Sequence, residues 1–245
     1  MLLALTLGAG IGLALGLLGG GGSVITVPVL VYAAGVSPAD AVAMSLAVVG
    51  GTSLVGAWLK HREQQVHKQA TMMFGGIGML GAWAGAHLTP LVTPKTLLVL
   101  FALLMVSIAT IMLLRKESEL TPKPECRPFR CLLSGLGVGV LTGFLGVGGG
   151  FLLVPAMVIF GRLPMKMAVG TSLVVIAFNS FAGLIGHGLN ARLDWSLTGA
   201  FLLVAVIGMI AGSRLANDFP VARLQKAFAG FVMAVAAFLL LKNLT

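Results

Sequence analysis

Two stretches of sequence decide the fold: GLLGGGGSVITVP at residues 16–28 and GFLGVGGGFLLVP at residues 143–155. Each places a run of glycines between two apolar segments and closes on a proline. Because glycine tolerates backbone angles that other residues avoid, such a run ends one helix and starts another. In lipid, this break leaves N–H and C=O groups without partners, which is tolerated only inside protein or beside a water-filled cavity. The two stretches therefore predict discontinuous helices at an internal site.

The two stretches belong to an internal repeat. When the chain is shifted by 127 residues, residues 8–116 align with residues 135–243 without a gap, and glycines, prolines and serines recur at that one offset. Such matches indicate a duplicated unit. We expect three parts: a first membrane repeat (1–116), a cytoplasmic linker (117–131) and a second membrane repeat (132–245).

The composition places the chain in a membrane. Of its 245 residues, 58% are hydrophobic and 9% are charged, whereas soluble domains carry about 25% charged residues. We predict an all-α integral membrane protein with two inverted-topology repeats of five segments each, whose glycine-broken helices meet at the repeat interface. The predicted segments are 2–18, 24–35, 41–59, 70–89 and 96–114, then 132–145, 151–161, 168–186, 196–213 and 224–241.

The Lys and Arg residues are distributed unevenly among the loops. If each repeat crosses the membrane an odd number of times, the halves are inverted, and three of these residues (Lys95, Arg192 and Lys242) oppose the other thirteen. An even number of crossings gives ten against six. Since cytoplasmic loops carry the excess, the inverted arrangement is favoured. It predicts a multi-pass protein of the cell inner (plasma) membrane with linker 115–131 on the cytoplasmic face, where Cys126 and Cys131 are expected as free thiols.

The glycine breaks are the candidate substrate site. A helix that restarts at Ser23 or Gly150 points free N–H groups into the cavity, and the positive end of its dipole suits an anion. The alternatives are that these glycines only allow close helix packing, or that polar side chains within the spans bond back to their own helix. The candidate substrate-binding residues are Gly19, Gly21, Gly22, Ser23, Ser45, Gly146, Gly148, Gly149, Gly150, Thr171, Ser172 and Asn179.

The paired breaks, each followed by an apolar stretch that ends in proline, resemble the sulfite exporter TauE/SafE family. The later Ala-Met-Ser-Leu (43–46) and Gly-Thr-Ser-Leu (170–173) elements carry the same resemblance, which covers essentially the whole chain. It implies a transporter of anions such as sulfite, sulfonates and other organosulfur compounds. The two copies differ where Ala43-Met44 stands against Gly170-Thr171, so one half is expected to bind more strongly than the other.

Other functions are kept as alternatives. An importer of an organic or sulfur anion, coupled to protons, would belong to the same class, and a membrane cofactor-binding subunit or a non-transporting scaffold would belong to another. We expect no enzyme, no catalytic residue, no metal and no cofactor, because paired carboxylates and clustered Cys and His are missing from the sequence. The expected partners are a small anionic substrate and the lipid bilayer, not nucleic acid despite the net charge of +9. A homo-oligomer stays open.

Overall fold

The computed structural model describes residues 2–20, 22–86, 94–114, 128–145, 150–188 and 194–244. Over these residues the chain is all-helical, with ten helices and no strand. In chain order the helices are α1 (Leu2–Leu18), α2 (Gly22–Tyr32), α3 (Pro38–Arg62), α4 (Lys68–Ala86), α5 (Pro94–Leu114), α6 (Pro128–Leu145), α7 (Gly150–Ile159), α8 (Met165–Gly188), α9 (Trp195–Asp218) and α10 (Val221–Leu244).

Each predicted segment coincides with one helix, and each half contains one short second helix. Helices α2 and α7 have 11 and 10 residues. At 1.5 Å per residue each is about 16 Å long, roughly half of a hydrocarbon core of about 30 Å. Helix α3 begins earlier than the predicted segment 41–59, because Ser37 caps it by accepting the N–H of Asp40 (3.3 Å).

The first glycine break satisfies much of its own backbone. Gly19 has φ +76°, a left-handed conformation that suits glycine, and its N–H donates to the C=O of Leu15 (2.8 Å). The Ser23 hydroxyl donates to the C=O of Gly20 (2.8 Å), beside the start of α2. These bonds end α1 and begin α2 within a few residues. The glycines of the second break before Gly150 lie outside the described residues.

The first helix of each half packs against the fourth helix of the other half. Helix α1 contacts α9, and α6 contacts α4. Along α1, Gly8 faces Phe201, Gly12 faces the backbone of Ala205, and Gly16 faces the backbone next to Met209. Both sets of positions advance together, so α1 and α9 run in the same direction at a separation that only glycine allows.

The third helices, α3 and α8, cross each other in the interior. Gly50 lies against Ser180, and Lys60 lies against Gly170. The contacts therefore advance along α3 while they retreat along α8, so the two helices are antiparallel. Under the 127-residue offset these helices are each other's counterparts, and the other interior pairs (α1 with α9, α6 with α4) exchange in the same way.

Much of the outer surface is apolar. Trp58, Met72, Leu80, Leu203 and Ile207 are large hydrophobic residues with more than half of their surface exposed. Within the described chain, three helices are long and apolar enough to cross a membrane, and three apolar stretches are shorter. The long ones are Asp40–Arg62, Met165–Ala182 and Trp195–Ala216, and the short ones are Leu5–Leu18, Cys131–Leu141 and Lys226–Ala237. Together these features describe a multi-pass membrane protein.

One prediction about the linker region is wrong. Cys131 lies in the first turns of α6, where it is buried and disulfide-bonded rather than a free thiol. The chain has one other cysteine, Cys126, which lies outside the described residues. The expectation of a free thiol rested on the compartment predicted for the linker, and the compartment alone does not determine whether a sulfur is bonded.

Candidate functional site

The amino-terminal ends of the two short helices meet at the interface between the repeats. A Cβ atom built on Gly150, the first residue of α7, would lie 2.7 Å from Oγ of Ser23 in the first turn of α2. The same atom would lie 3.3 Å from the C=O of Gly20. Ser23 and Gly150 are counterparts under the 127-residue offset, so this contact joins equivalent positions of the two halves. The absence of a side chain at Gly150 is what allows the two helix ends to approach.

Helix ends that face each other in this way concentrate positive potential. The first N–H groups of an α-helix have no acceptor inside the helix, and its amino-terminal end carries a partial positive charge. In the first break, the N–H groups of Gly19 and Ser23 are already bonded to Leu15 and Gly20. The donors that an anion could reach are therefore the other first-turn N–H groups of α2 and those of α7, not the full run from Gly19 to Ser23.

Gly22 has a different neighbour from Gly150. A Cβ atom on Gly22 would lie against the C=O of Ile11 and 2.7 Å from Cγ of Leu15, both on α1. Gly22 therefore allows α2 to fold back on α1 within the same repeat, and only its backbone N–H is left for a ligand. A substitution at Gly22 would therefore disrupt the packing of α2 on α1 and would not test the interface between the repeats.

Ser172 connects α8 to the first break. Its side chain is fully buried, and the hydroxyl lies 3.2 Å from the C=O of Gly19 and 2.8 Å from the C=O of Val169. A Cβ atom on Gly19 would lie 3.0 Å from this hydroxyl oxygen. Asn179, seven residues further along α8, is half-buried, and its Oδ1 has no hydrogen-bond partner among the described residues. Asn179 therefore has an unused acceptor on the same face of α8 as Ser172, about two turns further from the first break.

The remaining two polar candidates have other contacts. The Thr171 oxygen accepts the N–H of His67 (3.0 Å) and so faces the loop between α3 and α4. Ser45, the counterpart of Ser172 on α3, is buried and donates to the C=O of Val42 (2.8 Å). Four predicted site residues lie outside the described residues, namely Gly21, Gly146, Gly148 and Gly149.

An ion pair between a buried lysine and a partly exposed glutamate near this region was not predicted. Lys60 is 2% exposed, and its Nζ lies 2.8 Å from Oε2 of Glu63. The charge-free segment stops at residue 59, which predicts that Lys60 lies in a loop. The signal that could have found it is the spacing of Lys60 and Glu63, three residues apart and therefore able to pair on one helix face.

The family model "Sulfite exporter TauE/SafE" matches residues 4–239 of the chain. A probable membrane transporter protein of Xylella fastidiosa (strain 9a5c) is 31% identical over 98% of this chain and 96% of that relative. The probable membrane transporter protein YdhB of Bacillus subtilis (strain 168) is 27% identical over 94% of this chain and 96% of its own length. No solved structure matches the chain.

The family match covers nearly the whole chain, and the relatives align over almost their full lengths. The all-helical fold, the apolar helix surfaces and the glycine breaks agree with that assignment. Because the matched family consists of membrane transporters, the match implies a transporter and not an enzyme. The chain is a membrane transporter and belongs to the sulfite exporter TauE/SafE family.

Proposed function

We propose that the protein exports small sulfur-containing anions, such as sulfite or a sulfonate, through alternating access of two inverted repeats. The single observation that carries this proposal is the contact between the start of α2 at Ser23 and the start of α7 at Gly150. Helix N-termini bind anions through backbone N–H groups and helix dipoles, and here two of them converge. The Ser172 hydroxyl and the Asn179 amide add side-chain hydrogen bonds on one side.

The inverted arrangement is supported by the direction of the interior helices. A two-fold axis parallel to a helix relates it to a parallel counterpart, whereas an axis perpendicular to the helix relates it to an antiparallel one. Counterparts α3 and α8 are antiparallel, from Gly50 against Ser180 to Lys60 against Gly170. If both cross the membrane, the axis that relates the halves lies in the membrane plane, as inverted repeats require.

The proposed orientation places the linker in the cytoplasm of a cell inner membrane. Two observations point in opposite directions. The thirteen-to-three distribution of Lys and Arg favours the cytoplasm, whereas a disulfide at Cys131 is unusual in a reducing compartment. We give more weight to the basic residues, because they are spread over several loops and the disulfide is a single bond.

Export fits the energetics of an uncoupled anion site. With a negative cell interior, moving one negative charge outward is favourable by about 2.3 kcal/mol per 100 mV. The protein would then need no coupling ion, and its partners would be the anion and the bilayer. No specific observation favours the proton-coupled importer or the cofactor-binding subunit.

The test is flux of sulfite, thiosulfate, sulfoacetate, taurine and simple carboxylates from proteoliposomes under a set membrane potential. The orientation of the protein is read from a Ser196→Cys label in a Cys126→Ser/Cys131→Ser background, which we expect to react from outside. We expect sulfur-containing anions to move down the potential. The function is wrong if wild-type protein, folded and inserted, moves none of these anions.

The site is tested with Gly150→Ala, because even one methyl group meets the Ser23 hydroxyl at 2.7 Å. Overpacking of this kind costs about 1–3 kcal/mol. We expect the variant to fold and insert normally but to transport the anion more slowly than the wild type. The double variant Ser23→Gly/Gly150→Ala removes that clash and should recover part of the flux. Gly10→Ala is the matched control, since a methyl group there meets nothing within 4 Å. Wild-type flux by Gly150→Ala would place the site elsewhere.

A further inference from the structure

Lys60 is a charged side chain that the fold buries at the end of a membrane helix. It is 2% exposed, and its ion-pair partner Glu63, in the loop that follows α3, remains 32% exposed. Burying an ion pair rarely gains stability over apolar residues of the same volume. An ionisable residue buried at a membrane-protein interior therefore calls for a functional explanation.

The loop that holds Glu63 is docked on α8, one residue away from the proposed anion site. The Gln65 carbonyl lies where a side chain on Gly170 would be, and the His67 N–H donates to Thr171 Oγ1. The next residue, Ser172, contacts the C=O of Gly19 in the first break. Three consecutive residues of α8 thus connect the α3–α4 loop to the break.

The start of this loop is an ordinary helix end with one unsatisfied group beside it. Gln64 has φ +57° and ends α3 in a Schellman motif, in which the Gln64 N–H donates to the C=O of His61 (3.0 Å) and the Gln65 N–H donates to the C=O of Lys60 (2.9 Å). Gln65 Oε1 is buried and has no hydrogen-bond partner among the described residues. That unsatisfied acceptor disfavours this conformation relative to one in which the loop has moved.

We propose that Lys60 is the cationic residue that receives the transported anion at the α3–α4 end of the pathway, where the anion takes the place of the Glu63 carboxylate. The inference rests on the proposed anion transport and adds a residue to that site. The ligand class follows from the exchange. A sulfite or sulfonate group presents oxygen acceptors to the ammonium donors of Lys60 as a carboxylate does. Closure of the loop then returns Glu63 to Lys60 and releases the anion toward the breaks.

The two members of the pair should therefore respond to substitution in opposite directions. The measurement is the apparent KM for sulfite or for the best anion of the flux screen, taken on the side of the α3–α4 loop. Lys60→Gln should raise KM about tenfold or more, as expected for the loss of a charge-assisted hydrogen bond. Glu63→Gln should lower KM, because the competing carboxylate is removed. Lys60→Arg, which keeps the charge, should stay close to the wild type.

Arg62→Gln is the matched control, because Arg62 is exposed and its guanidinium lies 4.9 Å from the Trp58 ring centre rather than in the interior. We expect its KM to equal that of the wild type. A purely structural pair would lower the thermal stability of both Lys60→Gln and Glu63→Gln and leave KM unchanged, and that result would overturn the inference. If Lys60→Gln does not accumulate in the membrane, the test rests on Glu63→Gln. An unchanged or raised KM in that variant would also overturn the inference.

Failure of the inference is distinguishable from failure of the function. If wild type and Arg62→Gln both transport the anion while Lys60→Gln keeps the wild-type KM, the role of Lys60 is wrong and the transport function stands. If the wild type moves no anion, the function and the inference are both wrong.

Discussion

The amino-terminal part of α8 and the matching part of α3 have the same place in their repeats but different surfaces. On α8, Gly170 and Thr171 receive the α3–α4 loop through the Gln65 carbonyl and the His67 N–H. On α3, the counterparts Ala43 and Met44 present a methyl group and a thioether chain, both buried. The residue that corresponds to His67 is Asp194.

Asp194 and His67 illustrate how the two loops differ. Both cap the helix that follows, Asp194 through its carboxylate on α9 and His67 through Nδ1 to the N–H of Ala70 on α4. His67 is half-buried and bonded to the other repeat, whereas Asp194 is exposed. The duplication therefore preserved helix starts while the contacts that hold one loop against the other repeat diverged. The two halves therefore share a helix arrangement but differ in how this loop contacts the opposite repeat.

The largest expected effect comes from exchanging the residue types of the two helices. Gly170→Ala puts a methyl group against the Gln65 carbonyl, a backbone atom that cannot rotate away. We expect a loss of about 1–3 kcal/mol in stability of the closed loop, seen as a lower Tm in detergent and faster proteolysis near residue 64. Ala43→Gly is the reciprocal control. It removes a buried methyl group and weakens the helix by about 1 kcal/mol, without affecting proteolysis of the loop. Equal proteolysis in both variants would mean that the two helices are equivalent after all.

An intermediate effect is expected for Thr171→Val. The substitution keeps the shape of the side chain but removes the acceptor of the His67 N–H. Since His67 is only half-buried, we expect the net loss of one hydrogen bond, about 0.5–1.5 kcal/mol. Thr52→Val is the matched control, because the Thr52 hydroxyl only donates back to the C=O of Val48 on its own helix. We expect a lower Tm for Thr171→Val than for Thr52→Val. The reverse order would show that the His67 contact does not stabilise the closed loop.

The smallest effect is expected at the exposed loop. Asp194→Ala removes the carboxylate that accepts the N–H groups of Ser196 and Leu197 (both 3.0 Å), at a cost of about 1 kcal/mol. The Tm should fall slightly while the apparent KM for the transported anion stays the same, since Asp194 contributes only to the start of α9. A changed KM would indicate that this loop also takes part in binding and would remove the asymmetry.

The helices could be predicted from the sequence because a segment in lipid must be a helix of mostly apolar residues. The sequence predicts ten apolar segments, and the residues that the structure describes form ten helices, whose ends differ by a few residues where a cap lies outside the apolar segment. Ser37 extends α3 at one end, and the turn at Gln64 follows its other end. The correspondence between helices of the two halves, such as α3 with α8, could also be predicted, because it follows from the 127-residue repeat.

The partners of individual side chains could not be predicted in the same way. Helical spacing places Ser172 and Asn179 on one face, but it does not say which neighbour that face contacts. Thr171 was grouped with Ser172 and faces the α3–α4 loop. Lys60 was assigned to a loop on its charge alone and is buried beside Gly170. Each of these depends on contacts between distant parts of the chain.

The glycine face that α1 presents to α9 also has a consequence for biogenesis. Gly12 and Gly16 approach the backbone of α9, which begins at Trp195, far along the chain from α1. Helix α1 is therefore synthesised before its packing partner exists. Until α9 arrives, α1 depends on lipid, the insertion machinery or a chaperone to cover that face. A chain that ends before residue 195 therefore lacks the packing partner of this α1 face.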